Sequence, residues 1–281
     1  MRIMRRCLSL WVLVALLAVG CDRGAGSNPA TDDPQLDVEL TLTSDDEVWF
    51  KPEGGEGMIF YTLNNGNGAD LEATVDVDWI TDIAFGDRVV GYMVKANDAD
   101  ERSATLTIKC GEAELCVNIS QYAKVEAGEG LSTLTSDYSF EIEDGVFVGA
   151  YVGDIMGTGC NTCQVYMWEY LDLETGEERG DTFQIDLQLP QRGTDICGTY
   201  THGTTVGKFI PGSAENLGGQ LMQQNSWYIT ADYNSFAPMV SGKVEVESED
   251  GVIYTFTIHA MDDMGNAIEG VFKGYGEFTE W

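Results

Sequence analysis

Three aromatic side chains alternate along one short segment of the sequence, residues 165–171. In a β-strand this spacing places Tyr166, Trp168 and Tyr170 on one face and three aliphatic side chains on the other. If the aliphatic face is buried, the aromatic row is exposed and could stack against sugar rings, whose C–H faces are apolar. The opposite orientation gives an ordinary aromatic core, and we favour it from the pattern. The row is a candidate ligand-binding site in the first orientation only.

A second aromatic segment adds one more candidate. The alternation in residues 227–233 predicts a core face that includes Trp227 and leaves Tyr228 and Asp232 outward. We therefore count Tyr228 as a further candidate ligand-binding residue.

The cysteines offer two possible disulfides. Five cysteines lie beyond residue 21, an odd number that cannot all pair within the chain: Cys110, Cys116, Cys160, Cys163 and Cys197. Cys110 and Cys116 flank five residues between two strand-like runs, so a bridge across a hairpin with a five-residue loop is plausible. Cys160 and Cys163 form the second candidate pair.

The same cysteines raise the question of a metal site. Cys160, Cys163 and Cys197, together with His202, have the ligand types of a Cys₃His zinc site. Their spacing matches no known zinc module, and a redox Cys-x-x-Cys pair usually opens a helix, whereas strand patterns surround this one. We favour a structural disulfide with one buried thiol, and expect neither metal nor cofactor.

No common catalytic motif occurs in the sequence. It lacks the Gly-x-Ser-x-Gly elbow, the His-Glu-x-x-His zinc motif, phosphate-binding glycine loops and the dinucleotide fingerprint. The two histidines are His202 and His259, and the alternation places His259 outward on a strand. Residues 262–266 offer oxygen ligands for calcium, but they lack EF-hand spacing and fit a hairpin turn. We expect no enzymatic activity.

The N-terminus has the features of an export signal. Three arginines precede an apolar run from Leu8 to Val19, which is too short for the ~20 residues that span a bilayer as a helix. Residues 17–20 resemble a lipobox, with Ala18 where leucine is commoner, so Cys21 is the expected lipidation site. Residues 21–35 are small, polar and turn-forming, which is typical of a flexible tether. The sequence thus predicts an exported protein that reaches the membrane through its N-terminal lipid.

The charge of the mature chain excludes one class of partner. Three of the 15 Lys and Arg residues lie in residues 1–20, which leaves 12 against 47 Asp and Glu and a net charge of −35. Nucleic acids are bound by cationic patches, and this surface would repel phosphate. The charge is typical of a solubilising surface on an exported protein.

Short alternating runs separated by turn signals predict an all-β protein. Runs such as 105–108, 183–187, 244–246 and 254–258 have the period of two that marks strands with one buried face. Small and charged residues interrupt the pattern at 124–130, where we place a linker. The expected organisation is a signal peptide at 1–20, a tether at 21–35, and two antiparallel sandwich-like domains at 36–123 and 131–281.

The first domain resembles the BACON family, small immunoglobulin-like modules of exported Bacteroidetes proteins. The residues that carry the resemblance are Gly54-Gly55 before the strand 58–61, Asp78-Trp79-Ile80, the run 94–97 that leads through 101–102 into 105–108, and the closing strand 117–121. The resemblance implies an immunoglobulin-like fold, and carbohydrate binding has been proposed for the family. Since Trp79 shares a face with Val75 and Val77, we expect it in the core and interpret the domain as a spacer.

The second domain is similar to a β-rich C-terminal domain found beside such modules, through the segments 240–246, 254–258, 262–270 and 272–275. That likeness assigns no site. We expect a non-catalytic lipoprotein of the outer membrane or cell surface that binds a glycan or an envelope or host protein. A structural component of an envelope complex is the alternative, and an unrecognised hydrolase is a weaker one.

Overall fold

The computed structural model describes residues 37–66, 70–125, 130–172, 174–193, 195–218 and 220–280. These ranges contain strands, turns and loops and no helix, which confirms the all-β fold class. A helix of membrane-spanning length is accordingly absent from the described ranges. The predicted signal peptide, the lipidation site Cys21 and the tether lie outside the described residues, as do residues 126–129 of the expected linker.

Eight strands between residues 39 and 121 form two four-stranded sheets. The strands are β1 (Glu39–Leu42), β2 (Glu47–Phe50), β3 (Gly55–Asn64), β4 (Leu71–Thr74), β5 (Ile80–Phe85), β6 (Val89–Val94), β7 (Arg102–Cys110) and β8 (Ala113–Gln121). One sheet has the order β1-β3-β6-β5 and the other β2-β8-β7-β4. The β2–β8 pair is parallel.

Both of these sheets contribute side chains to a single hydrophobic core. Ile59 and Val90 from the first sheet and Leu106 from the second are fully buried in it. Trp79 lies in the same core with 8% of its surface exposed, and the Arg102 guanidinium lies 4.5 Å from the centre of its ring. The prediction that Trp79 is a core residue is confirmed.

Twelve further strands lie between residues 138 and 280. They are β9 (Tyr138–Gly153), β10 (Asn161–Leu171), β11 (Glu178–Leu189), β12 (Gly198–His202), β13 (Lys208–Phe209), β14 (Ser213–Leu217), β15 (Gln220–Gln224), β16 (Trp227–Thr230), β17 (Phe236–Pro238), β18 (Ser241–Ser248), β19 (Ile253–Met261) and β20 (Ala267–Glu280). Ten of them form one sheet in the order β10-β9-β20-β19-β18-β12-β13-β11-β16-β17. Strands β14 and β15 form a separate hairpin.

The ten-stranded sheet closes on itself because β10 also pairs with β11. The eight strands from β10 round to β11 therefore form a barrel-like ring. Two of its pairs are parallel, β9 with β20 and β12 with β13. The sandwich-like arrangement of the two halves stays a prediction. Alternation identifies strands and their faces, but it does not say which strands pair, and ring closure depends on that pairing.

Aromatic and aliphatic side chains fill the inside of the ring. Phe147, Phe183, Phe256 and Phe272 are fully buried in this second core. A Cβ atom at Gly145 would lie 2.3 Å from the ring of Phe272, so glycine is required where the ring packs against β9. The side chains that point into the ring are therefore apolar, and those that point outward do not belong to this core.

Candidate functional site

Strand β10 turns its aliphatic side chains into the barrel and its aromatic side chains outward. Val165 and Met167 are fully buried, Tyr166 and Trp168 are half-buried, and Tyr170 is 39% exposed. The favoured interpretation from the sequence, an aromatic core face, is wrong. Rings from neighbouring strands already fill the interior, and the slimmer aliphatic chains complete it.

Two of the outward rings form a stacked pair. The ring centroids of Tyr166 and Trp168 are 6.1 Å apart, and the ring planes differ by 21°. A β-bulge separates Trp168 from Tyr170, and the guanidinium of Arg179 lies 4.0 Å from the centre of the Tyr170 ring. We call Tyr166 and Trp168 the aromatic pair. The third member of the predicted row has one face covered by a cation.

Polar side chains of β10 and β11 lie beside the aromatic pair. Tyr166 is opposite Gln184 and Gln164 is opposite Asp186, so these four side chains share one face. Gln164 Nε2 donates to Asp186 Oδ2 at 3.1 Å, and Gln184 Nε2 donates to Asp186 Oδ1 at 3.4 Å. We call Gln164, Gln184 and Asp186 the polar triad. Each carboxylate oxygen of Asp186 thereby accepts a hydrogen bond from a different glutamine.

Asp186 is completely buried at the base of the triad. Burial raises the pKa of its carboxyl to about 6, and the two glutamine hydrogen bonds oppose that rise. Burial also raises the pKa of the Tyr166 hydroxyl, and the charge of Asp186 raises it further. The buried charge therefore acts on the aromatic pair, and at neutral pH it holds two amide groups in place.

The polar surface continues along the same two strands. Thr162 is opposite Gln188, and both side chains are fully buried. Gln188 Nε2 donates to Thr162 Oγ1 at 2.8 Å. At the other end Trp168 is opposite Thr182. The outer face of β10 and β11 is thus a continuous ladder of polar and aromatic pairs, while the inner face is aliphatic and aromatic core.

Tyr228 is not on this surface. Its side chain is 2% exposed in the barrel core, where its hydroxyl donates to Asp181 Oδ1 at 3.1 Å and its ring stacks on Tyr138 at 4.5 Å. The predicted outward orientation of Tyr228 is wrong. Trp227 lies on the other face of β16 and is fully buried, and its Nε1 donates to the carbonyls of Ser213 and Gln224 at the base of the β14–β15 hairpin.

The structure does not bring Cys110 and Cys116 together. Cys110 is opposite Ala113 and is buried, whereas Cys116 is opposite Thr107 and is exposed. The hairpin turn contains only two residues, 111 and 112, because β8 already begins at Ala113, within the segment expected to be a loop. The predicted five-residue loop is therefore wrong, and the register gives no support to a bridge between these cysteines.

The other cysteines do not form a metal centre. Cys160 and Cys163 are buried and Cys197 is exposed, while a disulfide between Cys160 and Cys163 stays a prediction. Burial raises the pKa of Cys163 to about 12. His202 accepts a hydrogen bond at Nδ1 from the amide of Gly242, at 3.4 Å. Within the residues that the structure describes, no three potential ligands come together around a metal-sized site.

The acidic turn at 262–266 has an internal structural role. Asp262 accepts hydrogen bonds from Ser132 Oγ at 2.6 Å and from the amides of Met264 and Asn266 at 2.9 and 2.7 Å. Asp263 accepts from the amides of residues 131 and 132 at 2.8 and 3.0 Å. Protein donors therefore occupy the oxygens that a calcium ion would use, and these bonds tie the start of the second half of the chain to the β19–β20 turn.

The sequence indicated the aromatic pair as a candidate, but it did not indicate the polar triad. The signal was present as the alternation Gln184, Asp186 and Gln188 with apolar residues between them. Reading it required the pairing of β10 with β11. The structure brings together Tyr166, Trp168 and the triad, leaves Tyr170 at the margin, and removes Tyr228 from the site.

No family model matches this chain, and no curated protein matches it. Among solved structures, it is similar to a Bacteroides ovatus GH5 xyloglucanase in complex with a XXXG heptasaccharide, at 20% identity and a TM-score of 0.27 over 38% of this chain and 27% of that chain. It is similar to a protein from Bacteroides thetaiotaomicron solved by NMR, at 15% identity and 0.26 over 35% and 98%. The titin domains z1z2 in complex with telethonin give 11% and 0.25 over 86% and 97%. Likenesses this distant leave the function to be argued from the site.

Proposed function

We propose that the protein is a non-catalytic, lipid-anchored protein of the outer membrane or cell surface that binds carbohydrate on the outside of its barrel. The observation that carries the proposal is the outward aromatic pair, Tyr166 and Trp168, beside the amides of Gln164 and Gln184. Aromatic faces bind the apolar C–H faces of sugars, and amides bind hydroxyl groups. Both kinds of group lie on one surface here.

The negative charge of the chain favours neutral sugars over nucleotides as stacking ligands. Nucleobases also stack on aromatic side chains, but their phosphates need cations. With 12 Lys and Arg against 47 Asp and Glu, the mature chain has a net charge of −35, and the carboxylate of Asp186 lies beneath the site. A neutral ring with many hydroxyl groups is the ligand that this surface suits.

The rest of the chain would present the site away from the membrane. In this proposal Cys21 carries the lipid, residues 21–35 form the tether, and residues 36–123 form an immunoglobulin-like spacer joined by the linker 124–130 to a sandwich-like or barrel-like binding domain. The two four-stranded sheets that share one core support the immunoglobulin-like assignment of the spacer. The lipid would then attach the domain firmly without a membrane-spanning segment.

An assembly role in an envelope complex is the second candidate. The β14–β15 hairpin supports it, because Leu217, Leu221 and Met222 are each 44–54% exposed there. Exposed apolar side chains on a projecting hairpin suit a protein contact. The weaker hydrolase alternative would look to the acidic groove beside β18, which is lined by Glu245, Glu247 and Glu249. In the strand order, β18 is four strands from β10 in either direction round the ring, so this groove lies away from the aromatic pair.

A glycan array tests the proposal. The probe is the mature chain with Cys21→Ser, which prevents lipidation, compared with the same chain carrying Trp168→Ala and Tyr166→Ala. Tyr275→Ala is the matched control, because Tyr275 is a 52% exposed tyrosine on β20. We expect saturable binding that the control retains and the double variant loses. Absence of binding to every glycan would contradict the proposal and favour the assembly role.

A further inference from the structure

We infer that Asp186 is a positioning residue that orients Gln164 and Gln184 toward a neutral sugar, and that the site rejects acidic sugars. This inference rests on the proposed function and deepens it. Asp186 has no exposed surface, and both of its carboxylate oxygens accept hydrogen bonds from the glutamines. It therefore does not contact a ligand itself, and it acts through the orientation of those two side chains and through its charge.

The carboxylate determines which way each amide points. An ionised carboxylate accepts hydrogen bonds and donates none, so each glutamine must turn its NH₂ group toward Asp186. Each Oε1 atom is then directed away from Asp186 as an acceptor, and each NH₂ retains one further hydrogen. Two fixed acceptors beside an aromatic face are complementary to sugar hydroxyl groups, each of which can donate one hydrogen bond.

The same carboxylate opposes a negative ligand. A uronate, sialate or sulfate group bound near Gln164 or Gln184 would approach a buried negative charge, where low dielectric strengthens repulsion. Arg179 is the one Lys or Arg residue within β10 and β11, and its guanidinium lies over Tyr170 and pairs with Glu177 at 3.3 Å. Its charge is thus already partly compensated, and an acidic sugar would gain little from it.

Asp186→Asn tests the positioning role with little change in shape. An asparagine presents one acceptor and one donor, so one glutamine must rotate its amide and present NH₂ where it had presented oxygen. We expect about a tenfold loss of affinity for a neutral glycan, the size of one hydrogen bond made wrong. In a chain that already carries Gln164→Ala and Gln184→Ala, the same substitution should change affinity less than twofold.

The experiment compares four proteins and one control on an array at pH 7.5. The array holds neutral oligosaccharides together with sialylated, sulfated and uronate-containing ones. The proteins are the Cys21→Ser chain, its Asp186→Asn variant, the double glutamine variant and the triple variant. Glu56→Gln is the control for loss of one negative charge, since Glu56 is exposed on β3. Circular dichroism checks that each variant is folded.

The outcomes separate the inference from the proposal beneath it. Binding restricted to neutral glycans, with a loss in Asp186→Asn that disappears in the double glutamine background, supports the inference. Equal or stronger binding of acidic glycans overturns it while leaving carbohydrate binding in place, and so does unchanged binding by Asp186→Asn. Equal losses in both backgrounds would show that Asp186 acts by another route. No binding by the parent chain would contradict the proposed function itself.

Discussion

The side chains of Gln164 and Asp186 face each other across the β10–β11 pair, and the amide of the glutamine donates to the carboxylate at 3.1 Å. This bond lies on the outer face of the barrel, yet Asp186 has no exposed surface. A buried carboxylate costs stability unless its hydrogen bonds replace the water it has lost. Protein donors, and not water, therefore supply the hydrogen bonds of this carboxylate on the outer face.

Replacing Asp186 with asparagine should stabilise the protein at alkaline pH. Burial raises the carboxyl pKa from 3.8 to about 6, so the folded chain holds this proton more tightly than the unfolded chain does. Protonation of the Asp186 carboxyl thus stabilises the folded chain fully below about pH 3.8, and this stabilisation is lost as the pH rises through about 6. Two pKa units correspond to roughly 3 kcal/mol.

Urea unfolding of the parent chain and Asp186→Asn, followed by tryptophan fluorescence, measures this effect. We expect the variant to be more stable by roughly 2 kcal/mol at pH 8 and nearly equal to its parent at pH 4. A less stable variant at pH 8 would show that the two glutamine bonds outweigh the cost of burying the charge.

Trp49 joins the two halves of the chain. Its ring stacks on His259 with centroids 5.0 Å apart and contacts Tyr122 at 4.7 Å, and its Nε1 donates to Glu47 Oε1 at 2.8 Å. Lys243 pairs with the same Glu47 oxygen at 2.6 Å. We expect Trp49→Ala to lower the free energy of unfolding by about 2 kcal/mol through lost packing.

The readout for Trp49→Ala is the shape of the thermal unfolding curve. With the contact removed, the two cores should unfold in separate steps, whereas the parent should unfold in one. Trp168→Ala is the matched control, because its outward ring is half-buried and should cost under about 1 kcal/mol. Identical single transitions in both variants would contradict the coupling role of Trp49.

We expect Asp262 to stabilise the fold and not to bind calcium. It accepts from Ser132, Met264 and Asn266, and Asn266 Nδ2 adds a further bond at 2.9 Å. Asp262→Ala removes the acceptor of the Ser132 hydroxyl and of the backbone amides of Met264 and Asn266, so we expect the free energy of unfolding to fall by about 2–3 kcal/mol. Neither calcium nor a chelator should shift the melting temperature of the parent chain. A calcium-dependent rise would instead show that the turn opens to bind the ion.

The sequence predicted the strands but not the side of each strand that is buried. Alternation placed Trp79 in a core because its neighbours Val75 and Val77 are apolar, and the structure agrees. The same reasoning was ambiguous at Trp168 and misled at Tyr228, since both faces of β10 and β16 have large apolar side chains. Closure of the ring decides between those faces, and it depends on the distant pairing of β9 with β20.

The polar triad could not be predicted from the sequence because the pairing of β10 with β11 is locally irregular. Leu171 pairs with Glu178 beside the turn, and counting back from that pair without interruption would place Gln164 opposite Ile185. The bulge between Trp168 and Tyr170 shifts the register by one residue, so Gln164 meets Asp186 instead. A one-residue shift exchanges the two faces of a strand. Gly180, which has φ +74° and lies in the bulged part of β11, is a local signal for the bulge, but one glycine does not determine which residues of the two strands pair.

The most direct test of the account is the affinity of Trp168 variants for the glycan that binds best on the array, measured by isothermal titration of the Cys21→Ser chain. We expect Trp168→Ala to weaken binding about tenfold, the upper range for one aromatic contact, and Trp168→Phe to retain most of the affinity because it keeps a ring. Trp168→Ala binding as tightly as the parent would contradict carbohydrate recognition by the outer face of β10.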